Sequence, residues 1–298
     1  MQNSLPLNLP NIIYQPIIIP MSEDWSQKEV ALIIEDYFDM FIQERERQKY
    51  NKSAHRKQLV QQLDNRSDGS VEFKHQNISA VLADMGLPYI KGYKPRSNYQ
   101  QILWEQVDRF TQKHWDKLQA YFETFANEAP SESALSLVDF ESVLEEGPAA
   151  SELKESEPTY RTSKPNYLER EQSNRVLGKE GEEFVIRYEK WRLEAAGKKK
   201  FIKEIKWISE EDGDGAGYDI LSRNIDGSDR FVEVKTTKQP KESPIFISKT
   251  EISFAAKNPA SFFLYRVFNF DTKPGLFIKQ GNYQSFCKLE PESYKGVF

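Results

Sequence analysis

The chain has 298 residues, 38% hydrophobic and 29% charged, which suits two ordinary globular domains. Its longest apolar stretches are too short to span a bilayer, and no basic segment precedes a continuous apolar core at the N-terminus, so neither a membrane span nor a signal peptide is expected. One cysteine, Cys287, excludes an internal disulfide and fits a reducing cytoplasm. With only three histidines (His55, His75, His114) it also argues against a zinc finger or a His-based metal site.

The net charge of −5 speaks at first against a nucleic-acid partner, but the acidity sits in the middle of the chain. Residues 126–170 hold 10 acidic and 4 basic residues, whereas residues 43–97 hold 6 acidic and 11 basic. Phosphate attraction is local, screened within roughly 8–10 Å, so a basic patch on an acidic chain is compatible with DNA.

Residues 1–24, with Pro6, Pro10, Pro16 and Pro20, predict an extended arm. Ser26-Gln-Lys-Glu29 then predicts a capping box for a helix reaching about Lys49, with Val30, Ile33, Ile34, Tyr37, Phe38 and Phe41 at helical spacing. A second helix follows Asn51-Lys-Ser53, a turn covers Asn65 to Gly69, and Ser70 is the expected N-cap of a third helix closed by Gly86. A loop at Gly92–Pro95 and one long helix from about Tyr99 to Phe125 complete an all-α domain over residues 25–126. Its first three helices are helix-turn-helix-like, although the turn is longer than the tight one of that motif. Arg66, Lys74, His75, Gln76 and Asn77 lie on the third helix and its approach. They are of the types that hold phosphates or read base edges, and they are equally the types found on the solvated face of a small bundle.

Residues 127–170 are rich in Glu, Ser, Pro and Ala and predict a flexible acidic linker, with Leu135–Leu137 and Phe140–Leu144 as one short docking helix. Over residues 171–298 the pattern changes to α-β-β-β-(β)-α-β: a helix Gly178–Ala196, strands at Phe201–Ile208, Tyr218–Ser222, Phe231–Thr236 and Pro244–Ser248, a helix Thr250–Lys257, and strands at Ser261–Phe270 and Leu276–Lys279. Asp226-Gly227 marks a hairpin between the second and third strands. The fold class is α+β multidomain, an all-α N-terminal domain followed by an α/β domain whose mixed sheet is flanked by helices.

The hairpin carries the chemistry. Alternation puts Glu233 and Lys235 on one face of their strand with Val234 on the other, and a hairpin can set Asp219 beside them. Two carboxylates, with the Val234 carbonyl as a further donor, make a hard oxygen site for Mg²⁺, or for Mn²⁺ in its place. A neighbouring lysine would orient and help deprotonate a water, or steady a phosphate in transition. Glu182 or Glu183 on the preceding helix adds a carboxylate; Glu182 is preferred because Gly178 and Gly181 let the helix approach closely. The competing explanation is an inert, salt-bridged acid–lysine cluster.

The segments Asn174–Glu183, Gly213–Ile220, Phe231–Thr237 and Phe263–Val267 together resemble the NO VEIN C-terminal domain family, over about residues 165–298. That family looks like a branch of the PD-(D/E)XK nucleases, so the resemblance implies a restriction-endonuclease-like fold with Asp219, Glu233, Lys235 and Glu182 as catalytic residues. It further implies that Thr236 and Thr237 contact substrate phosphate, and it includes Glu251, for which a helix-capping role is the simpler reading. Val71–Ala80 with Gly92–Pro95 resembles helical modules of bacterial restriction-like and HNH-type proteins. The expectation is a cytoplasmic, Mg²⁺-dependent DNA endonuclease of restriction or phage defence, acting as a homodimer or with a partner protein. The alternatives are a non-catalytic nucleic-acid- or protein-binding module of a defence complex, and an RNA substrate.

Overall fold

The computed structural model describes residues 24–129, 138–148, 165–211 and 215–291. The arm and Leu135–Leu137 therefore lie outside the described residues, apart from Asp24. Helix α1 (Gln27–Arg45) starts at the expected capping box: the Ser26 hydroxyl accepts from the Glu29 amide, and the Glu29 carboxylate accepts from the Ser26 amide. Its apolar stripe is buried throughout, as 3.6-residue spacing requires. Helix α2 (Lys52–Val60) is capped by Asn51. Helix α3 (Asp68–Asp84) has its cap three residues earlier than expected, because Ser67, not Ser70, accepts the first-turn amide. It ends where Gly86 adopts a φ of +70°. The single long helix expected next is two, α4 (Gln101–Lys113) and α5 (Trp115–Asn127), broken at His114. Phe38 stacks on Phe110 at 4.7 Å and Phe41 meets Phe122 edge-on at 5.8 Å, so α4 and α5 close the core built on α1.

Helix α6 (Tyr167–Gln172) comes from the expected linker, yet Tyr167 belongs to the core of the helical domain. Residues 138–148 form no helix; they run beside the last strand, where Leu144 bridges Leu276 and Phe140 packs on Phe184.

Helix α7 (Arg175–Ala195) precedes the sheet and stops at Gly197, φ +71°. The strand expected over Phe201–Ile208 is mostly a 3₁₀ turn (Lys199–Glu204), with only β1 (Lys206–Trp207) extended before a one-turn helix α8 (Ile208–Glu211). Strands β2 (Ile220–Arg223) and β3 (Asp229–Thr236) form the expected hairpin, with Gly227 at φ +97° in its turn. No strand forms at Pro244–Ser248. The chain goes to helix α9 (Lys249–Lys257), then β4 (Phe262–Phe268) and β5 (Gly275–Gln280). The sheet order is β1-β2-β3-β4-β5, and only β3–β4 is parallel, so the fold is α+β with a five-stranded mixed sheet. Among the described residues no helix is long and apolar enough to cross a membrane.

The pleat sorts the residues of β3 to two sides. Val232 and Val234, with Phe263, Tyr265 and Val267 of β4, share a core with Phe184, Val185 and Tyr188 of α7. Phe262 and Leu264, the cross-strand partners of Phe231 and Glu233, share a separate core with Ala255 of α9.

Candidate functional site

Asp219 sits just before β2, where Gly217 takes a φ of +85°. A Cβ at Gly217 would lie 2.7 Å from the Cβ of Phe254, so glycine is what lets α9 close over this end of the hairpin. The Val234 amide donates to Asp219 Oδ2 at 2.7 Å, which fixes the carboxylate against β3. On the opposite pleat Lys235 Nζ lies 2.9 Å from Glu233 Oε1 and 2.8 Å from Glu251 Oε2. Glu182 of α7 accepts from the Trp207 indole and the Ser209 hydroxyl and is partly buried, whereas Glu183 points to solvent. Glu182 is thus the α7 carboxylate whose charge reaches Asp219.

The electrostatics follow from crowding these acids in a dry place. Burial and the Glu182 charge push the Asp219 carboxyl up to about 7, against the pull of the Val234 amide and Lys235. Burial and Asp219 hold the Glu233 carboxyl well above the usual carboxylate range. Burial works against the charge of Lys235, but Glu233 and Glu251 outweigh it and keep the ammonium protonated. Lys235 is thus held as an ammonium between two glutamates.

Glu251 corrects a second expectation. Its amide is capped by Ser248, as a third-position acid suggests, but its carboxylate turns away from the cap to Lys235. An acid in a helix first turn looks the same in sequence whichever way it points, so only the packing of α9 on the sheet reveals it.

The two glycines of α7 differ. A Cβ on Gly181 would lie 1.8 Å from Thr236 Oγ1, so this residue sets the approach of α7 to β3; Gly178 faces nothing within 4 Å. Thr236 is accordingly buried beneath α7. Thr237 is fully buried and donates to Glu171 of α6 at 2.9 Å. Neither threonine is placed to meet a phosphate, because both hydroxyls lie inside the protein.

The expected DNA-reading set is also turned inward. His75 is fully buried, 3.1 Å from Asp36, whose other oxygen holds His55 at 2.7 Å. Asn77 donates to the Arg96 carbonyl at 2.7 Å. Lys74 is buried with its ammonium 5.0 Å from the Trp25 ring, and the Arg66 guanidinium lies 4.7 Å from the same ring while pairing with Glu29 at 2.7 Å. Gln76 and Arg66 are only partly buried. Polar residues on a short helix read as a solvated face in sequence; here Asp36, Trp25, Glu29 and the Arg96 carbonyl meet them within the helical domain.

Lys238, two residues beyond β3, carries the site into the helical domain. Its ammonium donates to the Phe125 and Glu128 carbonyls at the end of α5, while its amide donates to Glu171 at 2.6 Å. Cations at helix C-termini answer the unpaired carbonyls there. Arg266, the cross-strand partner of Lys235, is fully buried and donates to Gln172 and to the Pro244 carbonyl.

Among the described residues no group of three or more His, Cys, Asp or Glu is arranged to hold a metal ion. No curated protein and no solved structure matches the chain. Residues 181–279, which include all five members of the acid–lysine cluster, match the family model described as Protein NO VEIN, C-terminal.

Proposed function

We propose that the chain is a metal-dependent nuclease that hydrolyses phosphodiester bonds of DNA at the Asp219–Glu233–Lys235 cluster, within a restriction-endonuclease-like fold. The observation that carries this reading is the crowding of acids about one lysine: Glu233 and Glu251 pair with Lys235, Asp219 lies against the same strand, and burial and neighbouring acids raise the Asp219 and Glu233 carboxyls above their ordinary range. Burying uncompensated carboxylates is costly, and a divalent cation offsets that cost.

The donor set fits Mg²⁺, which takes one or two carboxylates and completes its shell with waters and substrate phosphates. Asp219 and Glu233 would hold it, with the Val234 carbonyl as a further donor. When bound, the ion supplies an acidified water and neutralises phosphate charge. Lys235, kept protonated by its two glutamates, faces charge that builds on the phosphate. Glu182 steadies the Asp219 side through Trp207 and Ser209. A restriction or phage-defence role in the cytoplasm, with a second copy or a partner protein supplying the cut in the other strand, follows from the resemblance to the family. The helical domain would then select the DNA with a surface other than Lys74, His75 and Asn77.

A second reading has its own observation. Lys235 is already satisfied by Glu233 and Glu251, which suits a closed, non-catalytic binding module. The test is cleavage of plasmid and phage DNA, methylated and unmethylated, with Mg²⁺ or Mn²⁺, for wild type beside Asp219→Asn. Metal-dependent cutting that disappears in the variant supports the nuclease; no cutting by folded wild type on any of these DNAs, nor on RNA, supports the binding module.

A further inference from the structure

The sheet ends beside the acid cluster in its edge strand, β1, and the chain that leads into this strand is strongly basic. Residues 198–206 hold five lysines and one acid. That acid, Glu204, is taken by Arg223 at 2.8 Å. Lys200 and Lys203 stand three residues apart on the 3₁₀ turn, where side chains at that spacing eclipse, and Lys206 follows three residues later on β1. All three are exposed, and among the described residues none of them has a carboxylate at ion-pair distance.

Like charges one turn apart repel. Surface lysines such as Lys179 and Lys241 face acids instead, Glu210 and Glu145, each at 2.9 Å. The unpaired row is nevertheless firmly placed. The Phe201 ring lies against the hairpin turn at Gly227, and β1 pairs with β2 through Lys206–Leu221 and Trp207–Ile220. This register fixes the direction of Lys206. Trp207 turns to α7, where its indole meets Glu182, so Lys206 projects from the other face of the sheet. Leu221 is the partner of Phe231, and alternation along β3 puts Phe231, Glu233 and Lys235 on that same face. Lys206 thus shares a face with the acid cluster, and its partner Leu221 lies two residues, roughly 7 Å of strand, from Asp219.

An acid cluster repels a polyanion, so a phosphate brought to it needs positive charge alongside, and Lys235 is committed to Glu233 and Glu251. Each strand of duplex DNA carries one charge per roughly 3.4 Å of axis, so a backbone seated on the cluster brings its next phosphates over β1. We propose, resting on the DNA reading above, that Lys200, Lys203 and Lys206 form a docking row for the phosphate backbone of duplex DNA, which they hold by charge without reading its bases.

The experiment measures duplex DNA binding to the full-length protein in Ca²⁺ over a range of salt, with cleavage in Mg²⁺ or Mn²⁺ and urea unfolding alongside. The proteins are wild type, Lys206→Gln, the triple variant Lys200→Gln with Lys203→Gln and Lys206→Gln, and Lys273→Gln. Lys273 is an exposed lysine between β4 and β5, towards the opposite edge of the sheet. The slope of log affinity against log salt should fall by about 0.9 for Lys206→Gln and by about 2.7 for the triple variant, with binding at about 50 mM salt roughly tenfold weaker for each lysine lost. The loss should be the same for unrelated duplex sequences, and Lys273→Gln should bind as wild type does. Urea stability should not fall, because the three side chains are exposed. An unchanged slope in the triple variant, an equal drop in Lys273→Gln, or wild type that binds no duplex DNA overturns the docking row. Wild type that binds through the row yet cuts nothing removes the nuclease reading and leaves the row standing.

Discussion

Asp219→Asn should leave the protein more stable at alkaline pH while ending its metal response. The Asp219 carboxyl is pushed from 3.8 to about 7 by burial and by Glu182. Its folded pKa lies above its unfolded one, so the folded chain holds this proton to higher pH than the unfolded chain does. The stabilising contribution is complete below about pH 4 and is lost as pH rises through 7. A difference of about three units, at about 1.4 kcal/mol each, makes ionised Asp219 a liability of up to about 4 kcal/mol near pH 8. Asparagine has the shape of the protonated acid and keeps an oxygen for the Val234 amide. Urea unfolding at several pH values should therefore show a gain of about 2–4 kcal/mol for the variant near pH 8, shrinking towards zero only below about pH 4. Added Mg²⁺ should stabilise wild type, more at pH 8 than at pH 6, and leave the variant unmoved. A gain independent of pH, or a loss at pH 8, would refute the account of the buried charge, and an equal Mg²⁺ response in both proteins would refute Asp219 as a ligand.

Two further outcomes test the frame of the site. Gly181→Ala should destabilise by about 1–3 kcal/mol, as overpacking does, because the new methyl meets Thr236 1.8 Å away; Thr236→Ala added to it should recover part of the loss in urea melts. Lys238→Met should leave the last carbonyls of α5 unanswered and cost about 3 kcal/mol in the same measurement, with faster hydrogen exchange at the end of α5. An unchanged exchange rate there would show that Lys238 does not tie the two halves together.

Much of the C-terminal domain was legible along the chain, because its signals are local. The Asp226-Gly227 turn specifies a hairpin, and alternation on β3 separates Glu233 and Lys235 from Val234 without reference to anything distant. The capping box at Ser26 and the glycine stops of α3 and α7 are local in the same sense. Errors gathered where a local signal has two meanings. Apolar residues around Phe201 gave a strand, yet the ring of Phe201 packs on the turn at Gly227 and the backbone coils into a 3₁₀ turn. Polar residues of α3 gave a nucleic-acid face, yet Asp36, Trp25 and the Arg96 carbonyl absorb them.

The sequence by itself determined the β2–β3 hairpin and the shared face of Glu233 and Lys235, since side-chain period and turn chemistry act within a few residues. Only the tertiary structure decided that Glu182 rather than Glu183 is the partly buried acid of α7 and that Glu251 pairs with Lys235. Both depend on how α7 and α9 dock on one sheet. A residue's direction across such a contact is fixed by its partners, and they lie 16 to 27 positions away in the chain.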